Sequence, residues 1–456
     1  MISTQNSDVQ VPDGDWLAPT PLSARGGFAT VRIPGSKSLT NRYLILAALA
    51  HSPSVIHAPL HSRDSALMVE ALRALGVRIE EIETDSPFGP DLRVFPLPRE
   101  IEPFHASIDC GLAGTVMRFV PPVAALVPGT FSFDGDSHAR QRPLQPVIQA
   151  LRDLGVDIDS QQNSLPFEMK SRGSIEVSEI TIDASGSSQF LSALLLSAPA
   201  FEQGLTIHHR GSAIPSMPHV EMTLEVLREV GVNVQVEENR WVVPSTSYAG
   251  FEVTVEPDLS NSGPFLAAAT VLGAEILIPD WPAHTTQGGD HWKTILPLFG
   301  AKVEHDSTGL KVRGATQAEK FHQSGVDLNL AESGELAPTV AALCALTRSP
   351  SVLSGIAHLR GHETDRLAAL VEEINRLGGH AQETEDGVSI EQPVTHGELF
   401  HTYDDHRMAT AAAIIGLAVP GVVVENIGTV AKTLPDFPLM WENMINQWTE
   451  SARDHA

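Results

Sequence analysis

Five glycines cut this chain into near-equal lengths: Gly76, Gly155, Gly231, Gly300 and Gly378 are separated by 79, 76, 69 and 78 residues. Each closes a helix-like apolar run and precedes a short β-like one, in residues 71–82, 150–158, 226–236, 295–303 and 373–381. A glycine suits the position just past a helix, where positive φ is needed before the chain turns into a strand. The period is too long for a solenoid, whose repeats run roughly 20 to 50 residues. Dividing 456 residues by about 76 instead predicts six α/β units, the sixth degenerate or lacking this ending. Alternation such as Val232, Val234, Val236 and then Trp241, Val242, Val243 marks strands, and helical periodicity precedes it. The expected fold class is α/β, with helices packed inward and sheets facing solvent. The length accommodates two or three domains.

Charge narrows the function. The formal net charge of −26 opposes binding to nucleic acid or an anionic membrane, so an anionic ligand needs a local concentration of cations. Only seven lysines occur, yet Lys37 and Lys432 both fall in the motifs described next. Cys110 and Cys344 form no Cys-x-x-Cys pair, which suits a reducing cytoplasm and argues against a structural zinc site. Residues 1–15 are polar and acidic, so no signal peptide is expected. The longest apolar stretch, 408–424, contains Gly416 and Pro420 and reads as a helix followed by a strand rather than a membrane span.

Anion-binding chemistry recurs at helix starts. Gly35-Ser36-Lys37-Ser38-Leu39-Thr40-Asn41-Arg42 runs into an apolar stretch. Gly35 permits close approach, Ser36 or Ser38 can cap the first turn, and the N–H groups there lie at the positive end of the helix dipole. A Walker loop needs a second glycine before the lysine, so ATP hydrolysis is not implied. Taken alone, the segment reads first as a capped helix with two solvated cations. A second Gly-rich helix entry, Asp109 through Gly114 to Arg118, carries an arginine one turn in. The loop 134–143 holds Arg140 and Arg142, and Ser185-Gly186-Ser187-Ser188-Gln189 opens another helix rich in hydroxyl and amide groups. Ser216 lies in a Pro-flanked turn before a further helix.

The C-terminal half mixes acids and bases. His362-Glu363-Thr364-Asp365-Arg366 starts one helix, Tyr403-Asp404-Asp405-His406-Arg407 starts another, and Lys432 follows. The first is no zinc motif, because arginine stands where HExxH needs histidine. A structural ion-pair network accounts for these charges singly; in combination they point to a closed site for two anionic small molecules.

The ordered set GSKSLTNR, LAGTVMR, RQRP, GSSQF, HETDR, DDHR and AKT, spanning about residues 30–440, resembles the 5-enolpyruvylshikimate-3-phosphate synthases of the enolpyruvyl transferase family. The resemblance implies two domains of three α/β units each, residues 1–34 plus 257–456 and an inserted 35–256, with the active site in the cleft between them. It implies transfer of the carboxyvinyl group of phosphoenolpyruvate to the 5-hydroxyl of shikimate 3-phosphate, in the pathway to chorismate and aromatic amino acids, with glyphosate competing for the phosphoenolpyruvate site. No metal or organic cofactor is implied, no nucleic-acid or membrane partner, and a cytoplasmic monomer is expected.

By the same resemblance, Lys37, Ser38, Arg42, Ser187, Ser188, Gln189 and Ser216 hold shikimate 3-phosphate, Lys37 also lying near phosphoenolpyruvate. Gly114, Arg142, Arg366, Arg407 and Lys432 bind phosphoenolpyruvate, and Arg118 supports that site. Glu335, where many members carry aspartate, is assigned as base, with His406 the next candidate. Glu363 is the proton donor, Lys432 sharing the task. Leu112, His219, His358 and His362 stand where well-known members carry asparagine, tyrosine, asparagine and lysine. His362 remains able to donate to ligands, with a charge that depends on pH. Two alternatives stay open: a UDP-N-acetylglucosamine enolpyruvyl transferase, although no cysteine precedes Arg142-Pro143 as in that family, and a non-catalytic relative that binds shikimate phosphate.

Overall fold

The computed structural model describes residues 12–21, 24–315 and 325–454; most of the polar opening stretch lies outside them. The chain divides into two compact units, Pro34–Glu256 and Met1–Ile33 with Pro257–Ala456.

In the unit Pro34–Glu256, helices α1 (Lys37–Leu49), α3 (Gly114–Ala124) and α5 (Ser188–Ser197) are buried almost throughout, as their unbroken apolar runs require. Helices α2 (Arg63–Ala74), α4 (Gln145–Asp153) and α6 (Pro218–Glu229) are amphipathic and bury one face. Three four-stranded sheets cover them, all of one design. Ser54–His57 pairs in parallel with Glu252–Thr254 and antiparallel with Asp91–Phe95, which pairs with Arg78–Ile82. The same order recurs around Pro128–Asp134 and around Leu205–His209. Burial alternates along strands such as Glu179–Ile182, so one sheet face meets the helices and the other meets water.

The second unit repeats the plan with α7 (Leu259–Leu272), α9 (Ala337–Cys344) and α11 (His406–Gly416) buried, and α8 (Trp292–Leu298) and α10 (Arg366–Arg376) outside them. Its sheets centre on Glu275–Pro279, Ser351–Ser354 and Val423–Val424. The last is the degenerate sixth copy. It has three strands, Leu399–Phe400 parallel and Trp16–Leu17 antiparallel to Val423–Val424, and α12 (Phe437–Asp454) takes the place of the missing ending. Phe265, Phe437 and Trp441 cluster with ring centroids 5.1–5.7 Å apart, tying α12 to α7. Each such buried side chain contributes about 1.5–3 kcal/mol.

All five spacing glycines take positive φ, from 77° to 100°. In each, the next residue's N–H reaches back to a carbonyl five residues earlier, as Val77 does to Leu72 and Val232 to Leu227. This double turn satisfies the orphan carbonyls at the helix end and sends the chain outward into a strand. The apolar stretch 408–424 resolves into α11 and the strand Val423–Val424. Among the described residues no helix is long and apolar enough to cross a membrane.

Candidate active site

In the unit Pro34–Glu256 the first two turns of the buried helices α1 and α3 carry the predicted cations Lys37, Arg42 and Arg118. Ser36 caps α1, its Oγ accepting from the N–H of Leu39 at 3.5 Å, which leaves Lys37 and Ser38 in the first turn. Lys37 Nζ lies 3.2 Å from Oδ2 of Asp64, a buried carboxylate in the first turn of α2. Arg42, one turn further, is 1% exposed. It donates to Thr223 Oγ1 (2.8 Å), the Ser38 carbonyl (2.9 Å) and the His219 carbonyl (2.9 Å), all neutral oxygens. Burial pushes its pKa down to about 9. A buried guanidinium among neutral acceptors is an electrostatic deficit that a phosphate would relieve.

Around α3 a second cluster forms. Arg118 donates to Gln189 Oε1 (2.7 Å) and to the Pro143 carbonyl (3.0 Å). Arg142 donates to the Leu112 carbonyl at 2.8 Å, a backbone contact that does not depend on the side chain at 112. A Cβ on Gly114 would stand 2.9 Å from Arg142 Nη2 and 3.3 Å from Arg118 Nη1, so glycine is what lets both guanidinium groups close over this helix start. Ser187 caps α5, accepting from the Gln189 N–H at 3.3 Å, Ser188 is buried, and Ser216 precedes α6 with φ of 51°. Arg140, from the same loop as Arg142, turns away to Asp134 and is half exposed.

The other unit gathers acids and bases. Arg366, 2% exposed, donates through Nε to Asp405 Oδ2 (2.7 Å) and through Nη2 to Asp405 Oδ1 (3.1 Å) and Glu363 Oε2 (2.9 Å). Its Nη1 lies 3.2 Å from His362 Nδ1. Glu363 Oε1 meets Lys432 Nζ at 2.5 Å. Burial opposes the charge on Arg366, but Asp405 and Glu363 outweigh it and raise its pKa. For Arg407 the balance is reversed: burial and then Arg366 lower its pKa against the pull of Glu335, Asp258 and Asp405. Glu335, on the short 3-10 turn Gly334–Leu336, accepts from Ser260 Oγ at 3.3 Å. His358 packs against Gly334, with its ring 5.9 Å from that of His362. His406 is 4% exposed in the first turn of α11.

Both acid-and-base segments lead into helices: the Asp365 carboxylate accepts from the N–H groups of Leu367 and Ala368 at 3.1 and 3.2 Å and caps α10, as Asp405 caps α11. His362 and Glu363 occupy the turn ahead of α10. Sequence reasoning passed over Asp64 and Thr223, which hold Lys37 and Arg42, and left Asp405 unassigned although it stood in a motif. Only the acidic first turn of α2 marked Asp64; no local signal marked Thr223.

Two three-unit halves, each gathering buried cations near helix starts, are the arrangement of the enolpyruvyl-transferase type of protein. In fold, the chain is similar to solved EPSP synthase structures from Acinetobacter baumannii. One has a TM-score of 0.72 and 20% identity over 94% of this chain and 97% of that one. A second has a TM-score of 0.71 at 20% identity, over 94% and 98%. The family model of EPSP synthase (3-phosphoshikimate 1-carboxyvinyltransferase) matches residues 28–441, and the chain belongs to that family. It is 56% identical over 450 residues to the 3-phosphoshikimate 1-carboxyvinyltransferase of Kocuria rhizophila, covering 97% of this chain and 99% of that protein.

Proposed function

We propose that this chain transfers the carboxyvinyl group of phosphoenolpyruvate to the 5-hydroxyl of shikimate 3-phosphate and releases phosphate, working as a cytoplasmic monomer on small molecules alone. The observation that carries the reading is the buried Arg366–Glu363–Lys432 chain beside Glu335 and Arg407, in a member of this family: cations for an anionic donor stand next to carboxylates able to move protons.

The chemistry is addition followed by elimination. The hydroxyl oxygen attacks C2 of phosphoenolpyruvate while its proton passes to a base, Glu335, with His406 the alternative. The C3 methylene takes a proton from the Glu363–Lys432 pair and becomes a methyl group. The tetrahedral adduct then loses phosphate by cleavage of its C–O bond, and a proton leaves C3 as the vinyl group re-forms. Arg142, Arg366, Arg407 and Lys432 stabilise the carboxylate and the departing phosphate, with Gly114 admitting the ligand and Arg118 holding the site's shape. Lys37, Ser38, Arg42, Ser187, Ser188, Gln189 and Ser216 hold shikimate 3-phosphate, and His362 donates to the ligands. The reading requires both sets of residues to act on the same pair of substrates.

The test is phosphate release from phosphoenolpyruvate by the purified protein. Release that needs shikimate 3-phosphate supports the proposal. Release with UDP-N-acetylglucosamine instead, or binding of shikimate 3-phosphate without turnover, overturns it.

A further inference from the structure

Immediately before α11, Tyr403 and Asp404 both adopt left-handed backbone, with φ of 54° and 55°. Two successive non-glycine residues in this region, one with a bulky ring, are sterically disfavoured and persist only where the surroundings hold them. The next residues are Asp405, the extended cap of α11, and then His406 and Arg407, so the strained pair sets the direction in which the first turn of α11 presents Arg407.

The hold comes from α10. Glu373, with a fully buried side chain, accepts from Tyr403 Oη at 2.8 Å, from the His401 N–H at 3.0 Å and from Arg376 Nε at 3.1 Å. Two turns earlier on the same helix, Arg366 grips Asp405. Residues seven apart share a helix face, so α10 presents two hooks to one loop, on either side of the strained pair. Glu425 adds a third, accepting from the Thr402 N–H at 3.2 Å. Burial, and then the Glu373 carboxylate, push the Tyr403 phenol well above its ordinary pKa, which keeps it a donor. The reaction chemistry uses neither Glu373 nor Tyr403.

We propose that Tyr403 and Glu373 are positioning residues: their hydrogen bond holds the double left-handed turn that aims Arg407 at the donor substrate. The proposal rests on the reading of Arg407 as a phosphoenolpyruvate ligand. Tyr403→Phe removes one oxygen and keeps the ring, leaving the strain without its anchor. A misplacement of about 1 Å at a positioning group can cost on the order of 100-fold. The variant is expected to raise KM for phosphoenolpyruvate about 10-fold and lower kcat by a similar factor, with KM for shikimate 3-phosphate within about twofold of wild type. Glu373→Gln keeps an acceptor for the phenol and should fall between the two; it also serves as the variant if Tyr403→Phe does not fold. Unchanged KM for phosphoenolpyruvate, or an equal loss for both substrates, overturns the proposal. Calorimetric binding of inorganic phosphate to wild type and variant separates this from the functional reading. If wild type shows no turnover, the reading fails, and equal phosphate affinity in the two proteins would still refute the positioning role.

Discussion

The Nζ of Lys432 lies 2.5 Å from Oε1 of Glu363, with the two side chains only 6% and 7% exposed. The other oxygen of Glu363 is taken by Arg366, so one carboxylate compensates two buried cations. Removing it takes a charged partner from both cations at once, Arg366 keeping Asp405, and breaking a buried pair costs about 3–5 kcal/mol. Lys432→Met removes one cation and leaves Glu363 paired to Arg366. Thermal melts should therefore rank wild type above Lys432→Met, and Lys432→Met above Glu363→Gln. The reverse order of the two variants would mean that Glu363 is not the centre of the cluster.

Arg42 makes three hydrogen bonds to neutral oxygens from a buried guanidinium. Arg42→Lys keeps a charge but cannot reproduce a planar fork. Charge-assisted hydrogen bonds are worth about 1.5–3 kcal/mol each, so calorimetry should find shikimate 3-phosphate bound about 10- to 100-fold more weakly. Wild-type affinity in this variant would remove Arg42 from the phosphate site.

What could be read in the sequence and what could not divide along a physical line. The five glycines were legible because the need for positive φ after a helix is local, as were the caps Ser36 and Ser187, which act within three residues. The inward helices were legible because apolar runs such as that of α5 leave no polar face to turn outward. Pairings across the chain were not. Asp64 stands 27 residues from Lys37, and Asp405 stands 39 from Arg366; both meetings depend on how helices pack. The strand Trp16–Leu17 finds its partner only at Val423–Val424, near the other end of the chain, so nothing near it announced the sixth sheet.

Gly114→Ala would place a methyl group 2.9 Å from Arg142 Nη2 and 3.3 Å from Arg118 Nη1. Both contacts are the far ends of long side chains, so the fold should survive while the guanidinium groups move. KM for phosphoenolpyruvate should rise, and inhibition by glyphosate, the longer molecule, should weaken more. Steady-state inhibition kinetics decide it: equal loss for the two compounds contradicts this geometry.

His57 joins three strands of one sheet, its ring nitrogens 2.5 Å from Asp91 and 2.8 Å from Glu252. The hydrogen bond to Asp91, then that to Glu252, raises its pKa above the ordinary value of about 6.5. A raised folded-state pKa gives stability that is fully present below the unfolded value and is lost as pH climbs through the folded one. The melting-temperature advantage of wild type over His57→Gln should therefore be largest near pH 6 and shrink as pH rises. A gap independent of pH, or one that widens, would show that the imidazolium is not what binds the strands.

Carboxyvinyl transfer breaks the C–O bond of phosphoenolpyruvate and leaves its P–O bond intact, which distinguishes it from any phosphoryl transfer. Phosphoenolpyruvate carrying heavy oxygen in its bridging position, mixed with shikimate 3-phosphate and this protein, tests that directly by phosphorus NMR and mass spectrometry. The account predicts that the heavy oxygen leaves with the inorganic phosphate and that shikimate 3-phosphate gains one carboxyvinyl group. Heavy oxygen retained in pyruvate, with shikimate 3-phosphate recovered unchanged, would contradict it.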